Sequence, residues 1–316
     1  MGRGAASSSE AGTISTEGLL HLSVVYVVWS STYLAIRVAV REGSGFPPLA
    51  MVSTRLLLAS GLLLALGSLS KSRVRPEGRE LAVVGASGVL LWAGGNGLVT
   101  WAEQNAPSGY SALIVASAPI WVALMQFVAD GRPPTPKLIA ALAVGFAGVG
   151  ILTSPSLTSG PGPRPLDTLA LLLAAACWGA GSLLQSRNRV GMTSVVSSGY
   201  QQLFGGLTMA LASLASGEPS PTPGVGPLLA WGYLVVFGSV LAFTSYVKAL
   251  KLLPTDIAMT YAYVNPVLAV LLGAAILHEQ VTGWTFAGMA FIVLGVAGVF
   301  REGGGPRNGA VRRAQQ

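Results

Sequence analysis

Charged side chains are scarce: Asp, Glu, Lys and Arg make up 10% of the 316 residues, against roughly 25% in an ordinary soluble domain. With 52% hydrophobic residues, that scarcity argues against a soluble fold and for a membrane protein. One cysteine, Cys177, allows no internal disulfide and no cysteine metal cage. Beside Trp178 in an apolar run, it reads as a small packing residue. His21 and His278 are peripheral and make a poor metal site. Neither a phosphate loop (GxxxxGK followed by Ser or Thr) nor HExxH occurs, so ATP hydrolysis and intramembrane zinc chemistry lack their motifs. The net charge of +7 is scattered through short loops rather than gathered on one face, which argues against a nucleic-acid partner. No cofactor is expected. All twelve acidic residues, Glu103 and Glu279 among them, fall in termini, loops or span ends. Proton-coupled carriers place titratable groups within the membrane. The expectation is therefore facilitated flux down a gradient, or coupling through Glu103 or Glu279 near a mouth.

What the chain does have is apolar length, and it has it twice. Residues 101–151 and 248–298 align without a gap at an offset of 147, pairing Pro107 with Pro254, Pro119 with Pro266, and Gly148-Val149 with Gly295-Val296. Ten segments approach or reach membrane length: 19–40, 48–69, 81–101, 108–129 and 137–153, then 166–185, 194–215, 227–247, 255–277 and 283–300. About 20 apolar residues are needed to cross ~30 Å of hydrocarbon. The first segment is too long and too polar at Trp29–Tyr33 for a cleaved signal peptide. Starting inside, the cytoplasmic segments collect 15 Lys and Arg, the outer ones hold only Arg37, Arg41 and Arg164, and Arg55 lies within the second span. Positive charge in short loops sets orientation, so both termini are expected in the cytoplasm. Five spans per copy is an odd number, and the second copy then enters from the opposite side. The predicted fold is an all-α membrane protein of ten helices in two inverted five-helix repeats. Its repeats cover 19–154 and 166–300, joined by a linker at 155–165, with disordered cytoplasmic ends at 1–18 and 301–316.

Four stretches carry a resemblance: Trp29–Arg37 (WSSTYLAIR), Asn96–Gln104 (NGLVTWAEQ), Pro107–Leu113 (PSGYSAL) and Thr260–Pro266 (TYAYVNP). On these the chain resembles the drug/metabolite transporter superfamily, its EamA family, and within that the YedA-like metabolite exporters. The resemblance implies a multi-pass protein of the inner or plasma membrane. In it, spans one to four and six to nine form a basket around a central cavity, with five and ten peripheral. One departure is visible. Relatives commonly carry Glu after the fourth span, where this chain reads Asp130-Gly131-Arg132, whereas the second copy keeps His278-Glu279.

Candidate site residues follow from polarity at depth. Pro119 and Pro266 remove a backbone donor and free an upstream carbonyl; each is either a hinge at a midplane site or a fixed packing kink. Tyr261 and Asn265, four apart, share a helix face that either binds a polar substrate or ties helices together. Trp29 and Trp178 open matching polar patches in spans one and six, with Ser30, Tyr33 and Gln185 nearby. They line a cavity or pack against glycine. Arg55 lies ~10 Å below the outer end of span two at ~1.5 Å per residue, and either attracts an anionic solute or bonds to helix-end carbonyls. Gln201 is its apparent counterpart in the second copy, after a shift in offset. Asn96 is a further lining candidate. The function these residues suggest is a secondary transporter of small metabolites such as amino acids or amphipathic amines, working by alternating access; the resemblance implies that it is an exporter. A passive channel or an intramembrane enzyme are the alternatives. A homodimer stays open, because the pairs Gly145/Gly148 and Gly295/Gly298 suit either a second protomer or the chain's own bundle.

Overall fold

The computed structural model describes residues 14–41, 43–106, 108–131, 133–157, 164–277 and 283–303. Among the described residues there is no strand. The helices are α1 (Thr16–Val40), α2 (Pro48–Leu69), α3 (Gly78–Gly88), α4 (Leu98–Ala102), α5 (Ser108–Val115), α6 (Ala118–Asp130) and α7 (Pro136–Leu157). They continue with α8 (Pro165–Arg187), α9 (Ser194–Ala215), α10 (Val225–Tyr233), α11 (Phe243–Leu252), α12 (Thr255–Ala258), α13 (Tyr261–Leu277) and α14 (Gly283–Gly303). Two π-helical segments, Val89–Gly97 and Leu234–Ala242, join α3 to α4 and α10 to α11.

Local chemistry sets several of these boundaries. Ser15 and Thr193 cap α1 and α9 by accepting the amides of Gly18 and Val196 at 3.2 and 3.3 Å, covering donors that a helix start leaves free. Gly131 closes α6 at φ 63°, a left-handed position that suits glycine. Large apolar side chains such as Leu69, Leu214 and Val128 point outward, as lipid-facing surfaces do.

Six of the described helical stretches are long and apolar enough to cross a membrane: Thr16–Val40, Pro48–Leu69, Gly78–Ala102, Ser111–Asp130, Pro165–Arg187 and Val225–Leu252. The other four predicted spans fall on α7, on α9, on α12 with α13, and on α14. The seventh, α9, is diluted by Ser197, Ser198, Gln201 and Gln202, which are all buried in the bundle. The expected disordered ends and linker are also narrower than predicted: residues 16–18 begin α1, 155–157 close α7, Pro165 opens α8 and 301–303 end α14. The rest, at 1–13, 158–163 and 304–316, lies outside the described residues, as do His278 and Glu279.

Packing joins α7 to α14 and α2 to α9 most extensively; α1 runs against α11 and α13, while α8 runs against the first π segment and α6. The α7–α14 contact is backbone on backbone. A Cβ at Gly295 would meet Gly145 Cα at 2.6 Å, and one at Gly148 would meet the Ile292 amide nitrogen at 2.7 Å. Small residues let helices approach in lipid, and these glycines serve that role within one chain.

The two prolines behave differently. Pro119 is the second residue of α6, just after a break at Ala116–Ser117, whereas Pro266 sits inside the continuous α13. In the second copy the break falls earlier, at Met259–Thr260 between α12 and α13.

Candidate functional site

At the middle of the bundle lies a cavity of about 60 Å³, lined by Trp29, Thr32, Tyr33 and Ile36 from α1 and by Arg55 from α2. Gly95, Asn96 and Val99, Val115, Ala174 and Trp178, and Tyr261 and Asn265 complete the wall. Seven sequence-selected residues therefore share one space: Trp29, Tyr33, Arg55, Asn96, Trp178, Tyr261 and Asn265.

Aromatic rings form one side. The Trp29 ring lies 5.0 Å from Tyr261, 5.1 Å from Tyr246 and 5.4 Å from Trp178, centroid to centroid. Tyr246 also reaches Trp178 at 5.7 Å and Tyr261 at 5.5 Å. Such pairs contribute about 0.5–1.5 kcal/mol each beyond area burial, enough to hold the rings as a fixed surface. The second π segment anchors them. Trp29 Nε1 donates to the carbonyl of Gly238, within that segment, at 3.2 Å.

Arg55 forms the other side. It is 2% exposed; its Nε donates to Ser239 Oγ at 2.8 Å, and its guanidinium lies 5.3 Å from the Trp92 ring centroid. Nη1 has no hydrogen-bond partner among the described residues. Asn96 Oδ1 is likewise buried and unpartnered. The Asn265 amide, with its nitrogen toward them, donates to the carbonyls of Tyr261 at 3.1 Å and Tyr26 at 3.3 Å. The cavity thus presents an unpaired cationic donor, an unpaired amide acceptor and aromatic faces.

The remaining candidates lie elsewhere. Ser30 donates to the Tyr26 carbonyl, as a helix back-bond. Gln201 is fully buried, donating to Gln185 Oε1 at 2.6 Å and Ser87 Oγ at 2.8 Å. Its neighbour Gln202 shares a partner with Arg55: Gln202 Nε2 donates to the Ser239 carbonyl at 3.0 Å, and Arg55 Nε donates to the hydroxyl of the same serine. The unshifted offset of 147 pairs Arg55 with Gln202, so that signal was present in the sequence. Trp92, Ser239 and Tyr246 were not singled out; mid-span aromatics and serines are too common to stand out by pattern.

A second, larger space of about 1130 Å³ opens at one end of the bundle, lined by residues that include Gln126, Asp130, Gln185, Ser186, Arg187, Lys251, Thr255 and Asp256. Between it and the central cavity sits a plug. Tyr246 Oη lies 2.6 Å from Ser182 Oγ, donates to Met259 Sδ at 3.2 Å and accepts Trp178 Nε1 at 3.2 Å. On α8 the order is Trp178 in the cavity, Ser182 in the plug and Ser186 in the vestibule, one turn apart each.

A family profile for the EamA-like transporters matches residues 16–154 and again 167–301. The chain belongs to the EamA-like transporter family. Among curated relatives of this family member, the uncharacterized inner membrane transporter YedA of Escherichia coli (strain K12) is 34% identical over 278 residues, 87% of this chain and 88% of that protein. Protein PecM of Dickeya dadantii is 28% identical, covering 84% and 86% of the two chains. A Streptantibioticus cattleyicolor protein named "Probable terminal-alkyne amino-acid exporter" is 26% identical, covering 88% and 90%. A solved crystal structure superposes with a TM-score of 0.72 at 22% identity, covering 90% of this chain and 96% of that one; it bears on the fold alone. Family, relatives and apolar helices together make this a multi-pass protein of the inner membrane, with relatives named as transporters and exporters.

Proposed function

We propose that this chain is a secondary carrier that exports small amphipathic solutes bearing a carboxylate, such as amino acids, by alternating access. The observation that carries the substrate reading is Arg55 Nη1, buried and unpartnered in a cavity walled by Trp29, Trp178 and Tyr261. A charge at membrane depth is costly and rare outside function. An anion completes the guanidinium while the rings cover an apolar body. The amino-acid exporter among the relatives supports that solute class.

In this reading ten spans form two inverted repeats, residues 19–154 and 166–300, with both termini in the cytoplasm. The pairing of helices supports it: exchanging the halves turns the α1–α11 contact into the α8–α4 contact, and the contact of α1 with the second π segment into that of α8 with the first. The π segments fall at matching places, 145 residues apart. The vestibule then faces the cytoplasm. At about 60 Å³ the central cavity is well below the ~300 Å³ of ordinary ligand sites, so the present conformation is closed and loading requires the repeats to part.

The test is binding by the purified protein, read by thermal shift and tryptophan fluorescence, against amino acids and aromatic carboxylates beside their matched amines and alcohols. Carboxylates should bind, and Arg55→Met should weaken them by about 10- to 100-fold, the ~1.5–3 kcal/mol of a charged hydrogen bond. Met keeps the volume, and exchanging a buried charge for an apolar side chain seldom harms a fold. Undiminished carboxylate binding by Arg55→Met would remove Arg55 from the site.

A further inference from the structure

Among the described residues two acids are buried at the closed end of the cavity, Asp167 and Glu103; Asp167 is paired with Arg164, and Glu103 is the one without a partner. It is the first residue beyond the span Gly78–Ala102 and caps α4. It is 3% exposed, and neither carboxyl oxygen has a hydrogen-bond partner among the described residues. The flanking Ala102 and Ala106 pack into an apolar cluster with Ala170, Leu171 and Ala174 of α8. One turn earlier, Val99 lines the cavity, and Tyr33, also in the cavity wall, is close enough to feel the Glu103 charge.

An ionised carboxylate in that setting has lost its water and gained no donor, a penalty of several kcal/mol. Burial pushes the Glu103 pKa up to about 8, against a smaller opposing pull from Arg37. The elements packed against α4 are α1, α2, α8 and the first π segment. Their titratable or charged groups are His21, Tyr26, Tyr33 and Arg37 with Glu17 on α1, Arg55 on α2, and Asp167, Cys177 and Arg187 on α8, with none on the π segment. Asp167 is held by Arg164 at 3.0 Å, and Arg187 by Asp130 at 2.6 Å. Of all these, Arg37 is the group that acts on the Glu103 proton electrostatically.

We propose that Glu103 is a proton-binding site of the carrier: it holds a proton while this end of the bundle is closed and releases it to water when the end opens. The proton passes from the carboxyl to solvent, leaving a hydrated carboxylate. Because the closed form binds the proton more tightly than the open form, raising the pH through about 8 favours opening. This goes beyond the substrate reading and holds whichever solute is carried.

The experiment needs no substrate. In the full-length, detergent-purified protein with Cys177→Ser, a reporter thiol is placed at Ile36→Cys, a buried cavity position one residue from Arg37. A reference thiol is placed at Ser220→Cys, which is exposed. The ratio of maleimide labelling rates, reporter to reference, cancels the intrinsic thiolate effect. Between pH 6 and 9 the ratio should rise by about tenfold or more. In Glu103→Gln it should stay flat, and Glu103→Met, a second neutral variant that guards against misfolding, should be flat as well. Arg37→Gln, by removing the cation that favours the carboxylate, should move the midpoint to higher pH. A flat ratio with Glu103 intact, a rise that survives in both neutral variants, or an unmoved midpoint in Arg37→Gln each overturns the assignment.

Discussion

The two ends of the central cavity are closed in opposite ways. At the vestibule end the plug is neutral and its hydroxyls are bonded: Tyr246 meets Ser182, Met259 and Trp178, and Tyr26 meets Thr260 at 2.6 Å. At the other end a carboxyl is enclosed without a donor. A satisfied neutral contact has the same energy across ordinary pH and yields only when something competes for its bonds and its apolar surface. An unsatisfied acid is stable only while protonated. The difference suggests a division of labour, with solute acting on one end and the proton on the other.

The largest expected break in that contrast comes from Tyr246→Ala. Removing a fully buried aromatic side chain costs about 3–5 kcal/mol and joins cavity to vestibule. Thermal unfolding should drop accordingly, and a reporter thiol at Thr32→Cys should label much faster at every pH. If stability falls while Thr32→Cys labelling stays slow, some contact other than Tyr246 closes this end.

How much of this was legible from residues alone depends on what each signal measures. Mid-span polarity located Trp29, Arg55, Trp178 and Tyr261 because a polar group in an apolar run is conspicuous whatever its neighbours. Gln185 and Gln201 are equally conspicuous, yet they bond to each other; periodicity gives depth, and the facing helix decides whether an amide meets a cavity or another amide. Glu103 was read as peripheral because it ends a span, although α8 and α1 cover it in the fold. Depth along a helix and distance from water are separate quantities. The π segments left no sequence trace, although a tertiary partner, Trp29 on Gly238, meets the second of them. Span counting by hydropathy met its limit at α9, whose buried glutamines and serines make it polar and central at once.

A finer cut at the plug is Tyr246→Phe. It keeps the ring contacts with Trp29 and Trp178 and deletes only the hydroxyl. Trp178 Nε1 loses its acceptor, so the cost should be about 1–2 kcal/mol, read as a lower unfolding midpoint. Labelling of Thr32→Cys should rise modestly and remain independent of pH. A pH-dependent rise there would erase the distinction between the two ends.

The smallest effect is expected where charge is exposed. Arg187 Nη2 meets Asp130 Oδ2 at 2.6 Å on the vestibule rim, with side chains 35% and 47% exposed. Water and salt screen such a pair, and its contribution is about 0–1 kcal/mol. Asp130→Asn should therefore leave the unfolding midpoint nearly unchanged and the Thr32→Cys labelling slow. The same acid-to-amide change at Glu103, which is 3% exposed and keeps its proton in the closed form, should abolish a pH response of about tenfold. The two substitutions are chemically alike, an acid to its amide, so burial is the variable that separates them. A large loss of stability in Asp130→Asn, or newly fast Thr32→Cys labelling, would make the rim ion pair part of the closure and give the vestibule end a charge-dependent latch of its own.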